Sequence, residues 1–243
     1  MSQHMRKKLF LFMGFLFLGV STLRAGAPVM ELIDVPTAEV LDRYGFDSTF
    51  RFYSGGGMLA KTHFGVFPRL NVGFALDADG FVGDEAVDLH KPTLNVRFRF
   101  FDGQRNLPAL ALGYDGQGFF FDKASDKYAQ REKGLFLVGS GEIIVPDLSL
   151  HAGLNMYDFT NDHVYGFMGL RYLYHDVLAF NAEWDNIRVG RESRLNAGIG
   201  WWITPSFSVE FAGRDMGAPS RPTERIVGLV YTGGFKEDDK CLC

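Results

Sequence analysis

The sequence predicts an all-β fold: a transmembrane antiparallel up-and-down β-barrel of about 12 strands. Apolar and polar residues alternate through most of the chain after residue 45, which is the pattern of strands with two different faces. Most alternating segments run about ten residues, the length that a tilted strand needs to cross a bilayer core. The links between them are alternately short and long, as in outer-membrane barrels. Among 243 residues, the 24 Phe, 9 Tyr and 29 Gly also argue against a helical protein.

The segment TLNVRFRFF, residues 93–101, shows the alternation most sharply. It places Arg97 and Arg99 between the apolar residues Val96, Phe98 and Phe100. The two sets need different surroundings, because Arg or Lys on the lipid face near the midplane costs roughly 2–4 kcal/mol. We therefore expect the apolar side chains to face acyl chains and the two arginines to face a water-filled or salt-bridged interior.

Twelve strands are predicted in total. Their spans are 47–54, 58–67, 70–79, 92–102, 107–116, 134–145, 148–158, 164–174, 177–187, 194–203, 206–215 and 224–235. Every second link is short, and the intervening links are longer and more polar. This rhythm predicts an even strand number with both termini on the periplasmic, short-turn side.

The first 25 residues read as a cleaved signal peptide. A positive stretch, residues 6–8, precedes the apolar run 9–20, and small residues follow up to Ala25, as in secretory signals. A membrane-anchoring helix is the alternative, but the run is short for a span. Without this segment, 21 basic residues face 29 acidic ones, a net charge of −8. That charge argues against nucleic acid as a partner.

The rest of the chain divides into three parts. Residues 26–46 are expected to form a periplasmic N-terminal segment or a small plug inside the lumen. Residues 47–235 form the barrel, and its last strand ends on Phe235, as bacterial outer-membrane barrels commonly do. That similarity implies recognition by the barrel-assembly machinery. The tail 236–243 holds both cysteines, Cys241 and Cys243, so no internal disulfide framework is expected.

Strand alternation assigns charged residues to the lumen and aromatic residues to the lipid-facing surface or the interfacial girdles. The lumen-lining candidates are Arg51, Arg97, Arg99, Arg171, Glu183, Asp185, Glu210 and Arg214. The lipid-facing or girdle candidates are Phe98, Phe100, Phe180, Trp184, Trp201, Tyr231 and Phe235. The lumen set carries both signs of charge, which predicts ion pairs across a narrow interior rather than a filter of one sign.

No catalytic, cofactor or metal site is predicted. Glu183 and Asp185 are spaced for glycoside cleavage, but pairing with lumen arginines is the simpler interpretation. Ser149 and His151 share a strand face, which keeps a lipid-modifying enzyme, a lipid A or phospholipid hydrolase, as a distant alternative. The nucleophile-elbow and zinc-protease motifs are absent from the sequence.

Two segments, IDVPTAEVLDRYGFDSTFRFY at 33–53 and FGVFPRLNVGF at 64–74, resemble the opening of YjbH-like outer-membrane barrels. The resemblance implies a non-enzymatic, structural role associated with exopolysaccharide export. The expected location is the outer membrane, and the expected partners are its lipid, lipopolysaccharide and export components. A narrow porin for small polar or acidic solutes is the alternative.

Overall fold

The computed structural model describes residues 28–104, 107–122, 125, 127–157, 163–188, 193–217 and 223–235. The predicted signal peptide and the tail 236–243 lie outside these residues. No helix in the described part of the chain is long and apolar enough to cross a membrane.

The described residues form fifteen strands. In chain order they are β1 Gly45–Tyr53, β2 Gly57–Phe67, β3 Leu70–Asp79, β4 Asp88–Leu89, β5 Thr93–Phe101, β6 Ala109–Asp115, β7 Phe119–Asp122, β8 Lys127–Gln130, β9 Gly134–Glu142, β10 Leu148–Met156, β11 Tyr165–Tyr174, β12 Leu178–Ile187, β13 Arg194–Thr204, β14 Phe207–Arg214 and β15 Glu224–Gly234.

Twelve of these strands make one closed antiparallel sheet. Its order is β1-β2-β3-β5-β6-β9-β10-β11-β12-β13-β14-β15, and β15 pairs back onto β1 with Gly45 opposite Gly234. Each barrel strand pairs with the barrel strands before and after it, so the topology is up-and-down. Closure leaves no free sheet edge, which satisfies the backbone groups within the sheet as a bilayer requires. The predicted fold class is therefore confirmed.

The strand limits differ from the predicted ones by a few residues, and one loop differs in kind. The first strand begins at Gly45 rather than at residue 47. The predicted loop 117–133 contains a hairpin of two short strands, β7 and β8, which pair only with each other. The aromatic run Phe119–Phe121 has no period-two alternation, so its pattern does not predict a strand.

The two faces of the barrel differ sharply in composition. The outward side chains are apolar and exposed, with Phe98 at 46% and Trp184 at 47%. The inward side chains are mainly polar or charged, and Arg97 and Asp185 are 5% and 0% exposed. Since the outward face carries charge only near strand ends in the described strands, as at Arg225, its middle band suits the hydrocarbon region of a bilayer.

The two ends of the barrel also differ. The turn end carries the short connections 68–69, 102–108, 143–147, 175–177 and 205–206, and the loop end carries the connections between the other strand pairs. One tight turn uses His175 and Asp176, which both have positive φ, as a two-residue type I′ hairpin requires. The chain enters β1 and leaves β15 at the turn end.

Candidate functional site

Residues 28–44, called the plug below, lie inside the barrel. Val35, Thr37 and Ala38 are each 0% exposed. The segment folds back on itself: the Leu32 amide donates to the Val35 carbonyl at 3.0 Å, and the Thr37 amide donates to the Met30 carbonyl at 3.1 Å. The plug is therefore a compact loop whose tip, residues 32–35, points into the lumen.

Both ends of the plug lie at the turn end of the barrel. The Tyr44 amide donates to the Gly65 carbonyl at 2.8 Å, near the end of β2. At the other end, Pro28 lines a cleft together with Trp202 and Thr232, which lie near the turn end of β13 and β15. The plug thus enters the lumen and returns to the same end.

Two wall glycines make room for the plug. A Cβ on Gly65 would lie 1.9 Å from the Asp42 carbonyl oxygen, and one on Gly169 would lie 2.5 Å from Leu32 Cδ1. The first contact is with backbone, which cannot rotate away as a side chain does. The close approach of two backbones is a typical reason for glycine in a strand.

The tip of the plug binds a wall carboxylate through its backbone. Glu183 on β12 accepts hydrogen bonds from the amides of Ile33, Asp34 and Val35, at 2.6–3.0 Å. Asn196 on β13 donates to the same carboxylate at 2.9 Å. Successive N–H groups that converge on one anion form a nest, and hydrogen bonds to a charged acceptor are the stronger kind.

The carboxylate of Asp34, also at the tip, pairs with positively charged wall residues. Arg214 on β14 holds both of its oxygens at 2.7 Å in a bidentate contact. Arg51 and Arg194 lie within 3.7 and 4.0 Å of it. Burial would raise the pKa of Asp34, but the charges of Arg214 and then Arg194 outweigh it and lower the pKa to about 2. Asp34 is therefore ionised at neutral pH.

Glu31 makes the second set of plug ion pairs. Its carboxylate lies 2.5 Å from Lys61 Nζ on β2 and 3.8 Å from Arg51 on β1. Burial opposes ionisation here too, but Lys61 and Arg51 lower the pKa of Glu31 below its usual range. Arg51 thus lies between the two plug carboxylates.

Arg97, one of the two arginines of the segment 93–101, also contacts the plug. Its Nη1 donates to the carbonyl oxygens of Met30 at 2.6 Å and Glu39 at 3.3 Å. Arg99 lies elsewhere, near the turn end, where its Nε is 3.0 Å from Asp102. The two alternating arginines therefore have different roles.

The plug also buries apolar side chains in the lumen; those at most 6% exposed are Met30, Leu32, Ile33, Val35, Ala38, Val40 and Leu41. Val35 and Ala38 form a small buried cluster with Ala111, Phe136, Val138 and Phe167. A second wall contact joins the Ala38 amide to Ser140 Oγ at 2.7 Å. Ser140 is also 2.8 Å from His151 Nδ1, and His151 Nε2 is 3.0 Å from Ser149 Oγ. The Ser149–His151 pair is thus joined to the plug through Ser140.

Strands β7 and β8 form a hairpin at the loop end, called the lid hairpin below. It covers the lumen from the end opposite to the one at which the plug enters. Phe119 lies 3.9 Å from the guanidinium carbon of Arg214, measured to the ring centroid. Gln130 hydrogen-bonds Asp215 and accepts from Arg194. These partners belong to β13, β14 and the residue after β14, on the wall opposite the strands that flank the hairpin. The lid hairpin therefore crosses the lumen.

Two clefts in the described part of the barrel, of about 430 and 220 Å³, are lined by plug and wall residues. The larger one is lined by Arg51, Ser208 and Glu210 among others. In the described residues, no group of three or more His, Cys, Asp or Glu side chains is arranged to hold a metal ion.

The structure brings most of the predicted lumen residues to the plug or the lid hairpin. Five of the eight, Arg51, Arg97, Glu183, Asp185 and Arg214, are at most 5% exposed, Arg171 is 8% exposed, and Glu210 lines the larger cleft. Asp185 is held by Lys133 and Arg194. Arg99 lies near the turn end, where it pairs with Asp102. Alternation gives the face but not the depth along the strand.

The aromatic candidates lie on the outer face or at its margins. Phe98, Phe100, Phe180, Trp184, Trp201 and Phe235 are all exposed. Tyr231 is half-buried, with its ring 5.8 Å from that of Phe46. The residues that the sequence analysis did not single out are Glu31 and Asp34 of the plug. The available signal was charge: residues 28–41 hold three acids and no base.

Comparison with known proteins adds information on the fold. A scan against protein-family models and a search of curated proteins found no match. A solved KdgM porin is similar at 11% identity and a TM-score of 0.51, covering 79% of this chain and 99% of the porin. A KdgM porin in complex with disordered oligogalacturonate covers the same shares at 12% identity and a TM-score of 0.50. A mutant porin of Rh. blastica reaches a TM-score of 0.39 at 10% identity, over 72% of this chain and 55% of the porin. At these identities the likeness to the KdgM porins shows a shared barrel fold.

Proposed function

We propose that this protein is a narrow, non-enzymatic outer-membrane channel of the porin kind for small polar solutes, held closed by its plug. The alternative of a narrow porin, raised by the alternating arginines, thus takes precedence over a scaffold for polysaccharide export. The likeness to KdgM porins supports this order, because it extends over almost the whole of those proteins.

One observation carries the proposal: beside an apolar patch, the wall surface that the plug covers carries several charged side chains. Arg51, Lys61, Arg97, Glu183 and Arg214 all meet plug atoms. A wall meant to stay filled gains little from charges, because replacing a buried ion pair by packed apolar groups is often neutral or stabilising. Water can solvate the same groups when the plug leaves, so the covered surface is suited to a hydrated pore.

A reversible cross-link tests the proposal on the full chain. Ala38→Cys and Ser140→Cys place thiols on two residues already in contact at 2.7 Å, in a background with Cys241→Ser and Cys243→Ser. Purified protein is reconstituted in planar bilayers in KCl, first oxidised and then reduced with dithiothreitol.

We expect no current steps from the oxidised protein and discrete steps after reduction. The same background without Ala38→Cys and Ser140→Cys is the control, and its conductance should not respond to dithiothreitol. A protein that stays silent after reduction, although correctly folded by heat-modifiable migration on gels, would instead be a closed scaffold.

A further inference from the structure

The described lumen contacts divide the basic wall residues that meet the plug into two classes. Lys61, Arg194 and Arg214 each pair with a wall carboxylate as well as with the plug; the wall partners are Asp115, Asp185 and Glu224. These three bases keep a partner if the plug is released.

Arg51 and Arg97 belong to the second class. The ion pairs of Arg51 within the described chain are with Glu31 and Asp34, both of the plug. Arg97 donates to plug carbonyls of Met30 and Glu39. Each arginine is 5% exposed, and Arg51 Nη1 and Arg97 Nε have no hydrogen-bond partner among the described residues. Release of the plug thus removes the ion pairs of Arg51 and the plug hydrogen bonds of Arg97, while wall acids stay at longer range, Glu210 beside Arg51 and Asp115 beside Arg97.

The plug places two carboxylates, three positions apart, beside Arg51. Glu31 lies between Lys61 and Arg51, while Asp34 lies between Arg51 and Arg214. The stretch 28–41 has no basic residue that would repel the wall. In charge and spacing, residues 31–34 are a short chain that carries two carboxylates.

We propose that Glu31 and Asp34 occupy a binding site for a polycarboxylate solute, which binds the lumen by displacing the plug. The inference rests on the proposed function, since such a solute would enter through the channel. Its carboxylates would pair with Arg51 and Arg97, with Lys61 and Arg214 completing the site. Guanidinium groups favour carboxylates because their planar donors match both oxygens.

Hydrogen exchange of the plug amides in the full-length, detergent-solubilised protein tests this directly. The probe is tricarballylate, a small tricarboxylate, compared with NaCl at equal ionic strength. A ligand that binds only the released state raises its population by a factor of one plus the ratio of ligand concentration to Kd, about tenfold at ten times Kd. We expect exchange of residues 30–41 to accelerate by that order with tricarballylate and not with NaCl.

Variants separate a specific site from a general charge effect. Arg51→Gln/Arg97→Gln should lose the tricarballylate acceleration, measured as a ratio within each variant because the substitutions also loosen the plug. Arg99→Gln is the matched control, since Arg99 pairs with Asp102 near the turn end, and it should keep the acceleration. Equal exchange in tricarballylate and NaCl, or an acceleration that survives Arg51→Gln/Arg97→Gln, would overturn the inference.

The two proposals fail in different ways. A protein that conducts after reduction of the Ala38–Ser140 cross-link, but whose plug ignores tricarballylate, loses only the polycarboxylate site. A protein whose plug responds to tricarballylate but never conducts loses the channel function, and the site is then a binding site in a closed barrel.

Discussion

Asp34→Asn should release the plug more often than any other single conservative change in the lumen. The substitution keeps the volume of the side chain and removes its charge. It breaks a bidentate contact with Arg214, with both oxygens at 2.7 Å, and weakens the longer pair with Arg51. Loss of one partner of a buried pair typically costs about 3–5 kcal/mol.

The free-energy cost to the docked plug lies near the lower end of that range. Arg214 keeps its ion pair with Glu224, at 2.8 Å, and it is hydrated again when the plug leaves. At about 3 kcal/mol, with each 1.4 kcal/mol worth a factor of ten, the released fraction rises roughly a hundredfold. The assay is the labelling rate of Ala38→Cys by a water-soluble maleimide, in a Cys241→Ser/Cys243→Ser background, because Ala38 is 0% exposed while the plug is bound.

Asp42→Asn is the matched control. Asp42 belongs to the same segment and is exposed at the turn end, so its charge should not matter and labelling should match that of the parent. If Asp34→Asn labels no more than about threefold faster than Asp42→Asn, ion pairing does not hold the plug.

Three further predictions use the same labelling assay. Gly65→Ala should accelerate labelling about tenfold, because the added Cβ would overlap the Asp42 carbonyl and overpacking costs about 1–3 kcal/mol. Gly166→Ala is the control and should leave the labelling rate unchanged, because the nearest atoms to its added Cβ lie at 3.5 Å. Equal rates in the two variants would contradict the close approach of Gly65 to the plug. Glu183→Gln should accelerate labelling about thirtyfold. One carboxylate oxygen that accepts from the plug N–H groups is replaced by an NH₂ group, at a cost of about 2 kcal/mol. An unchanged labelling rate would count against the contact between Glu183 and the plug tip. From about pH 8 to about pH 5, the ion pairs of Glu31 and Asp34 should hold the docked plug without loss. Their pKa values are lowered when the plug is docked, so their stabilisation is present above their ordinary pKa values and is lost only as the pH falls through the lowered ones. The measurement is labelling corrected for maleimide reactivity in a His63→Gln/His151→Gln background, because both histidines lie beside the plug or its wall contacts; release within that window would contradict the ion-pair assignment.

The barrel could be predicted from the sequence because each of its strands carries its own signal. In β5, Phe98 and Arg97 differ in polarity and are adjacent, so period-two alternation fixes which of them faces lipid and which faces the lumen. The same local pattern recurs around the sheet, and pairing of sequential strands then closes the barrel. Alternation does not show how deep in the barrel a residue lies. The sequence therefore predicts the same lumen-lining role for Arg97 and Arg99, although Arg99 lies near the turn end.

The plug could not be placed from the sequence because its contacts are non-local and partly backbone-mediated. The amides of residues 33–35 bind Glu183, about 150 positions away, and any sequence offers such amides. The negative charges of Glu31 and Asp34 indicate basic partners, but they do not identify them, because several lumen arginines are possible. The YjbH-like resemblance, which covers part of the plug and the first strands, stays a prediction.

Hydrogen exchange of the unmodified protein tests the central claim, a plug held inside the barrel. The amides of Leu32, Ile33, Val35, Thr37 and Ala38 all donate to plug or wall acceptors in the lumen. In detergent micelles or nanodiscs, we predict that peptides covering residues 30–41 exchange orders of magnitude more slowly than an unstructured chain. Exchange of these amides at the unstructured rate, with the barrel strands still protected, would show that the plug does not occupy the lumen.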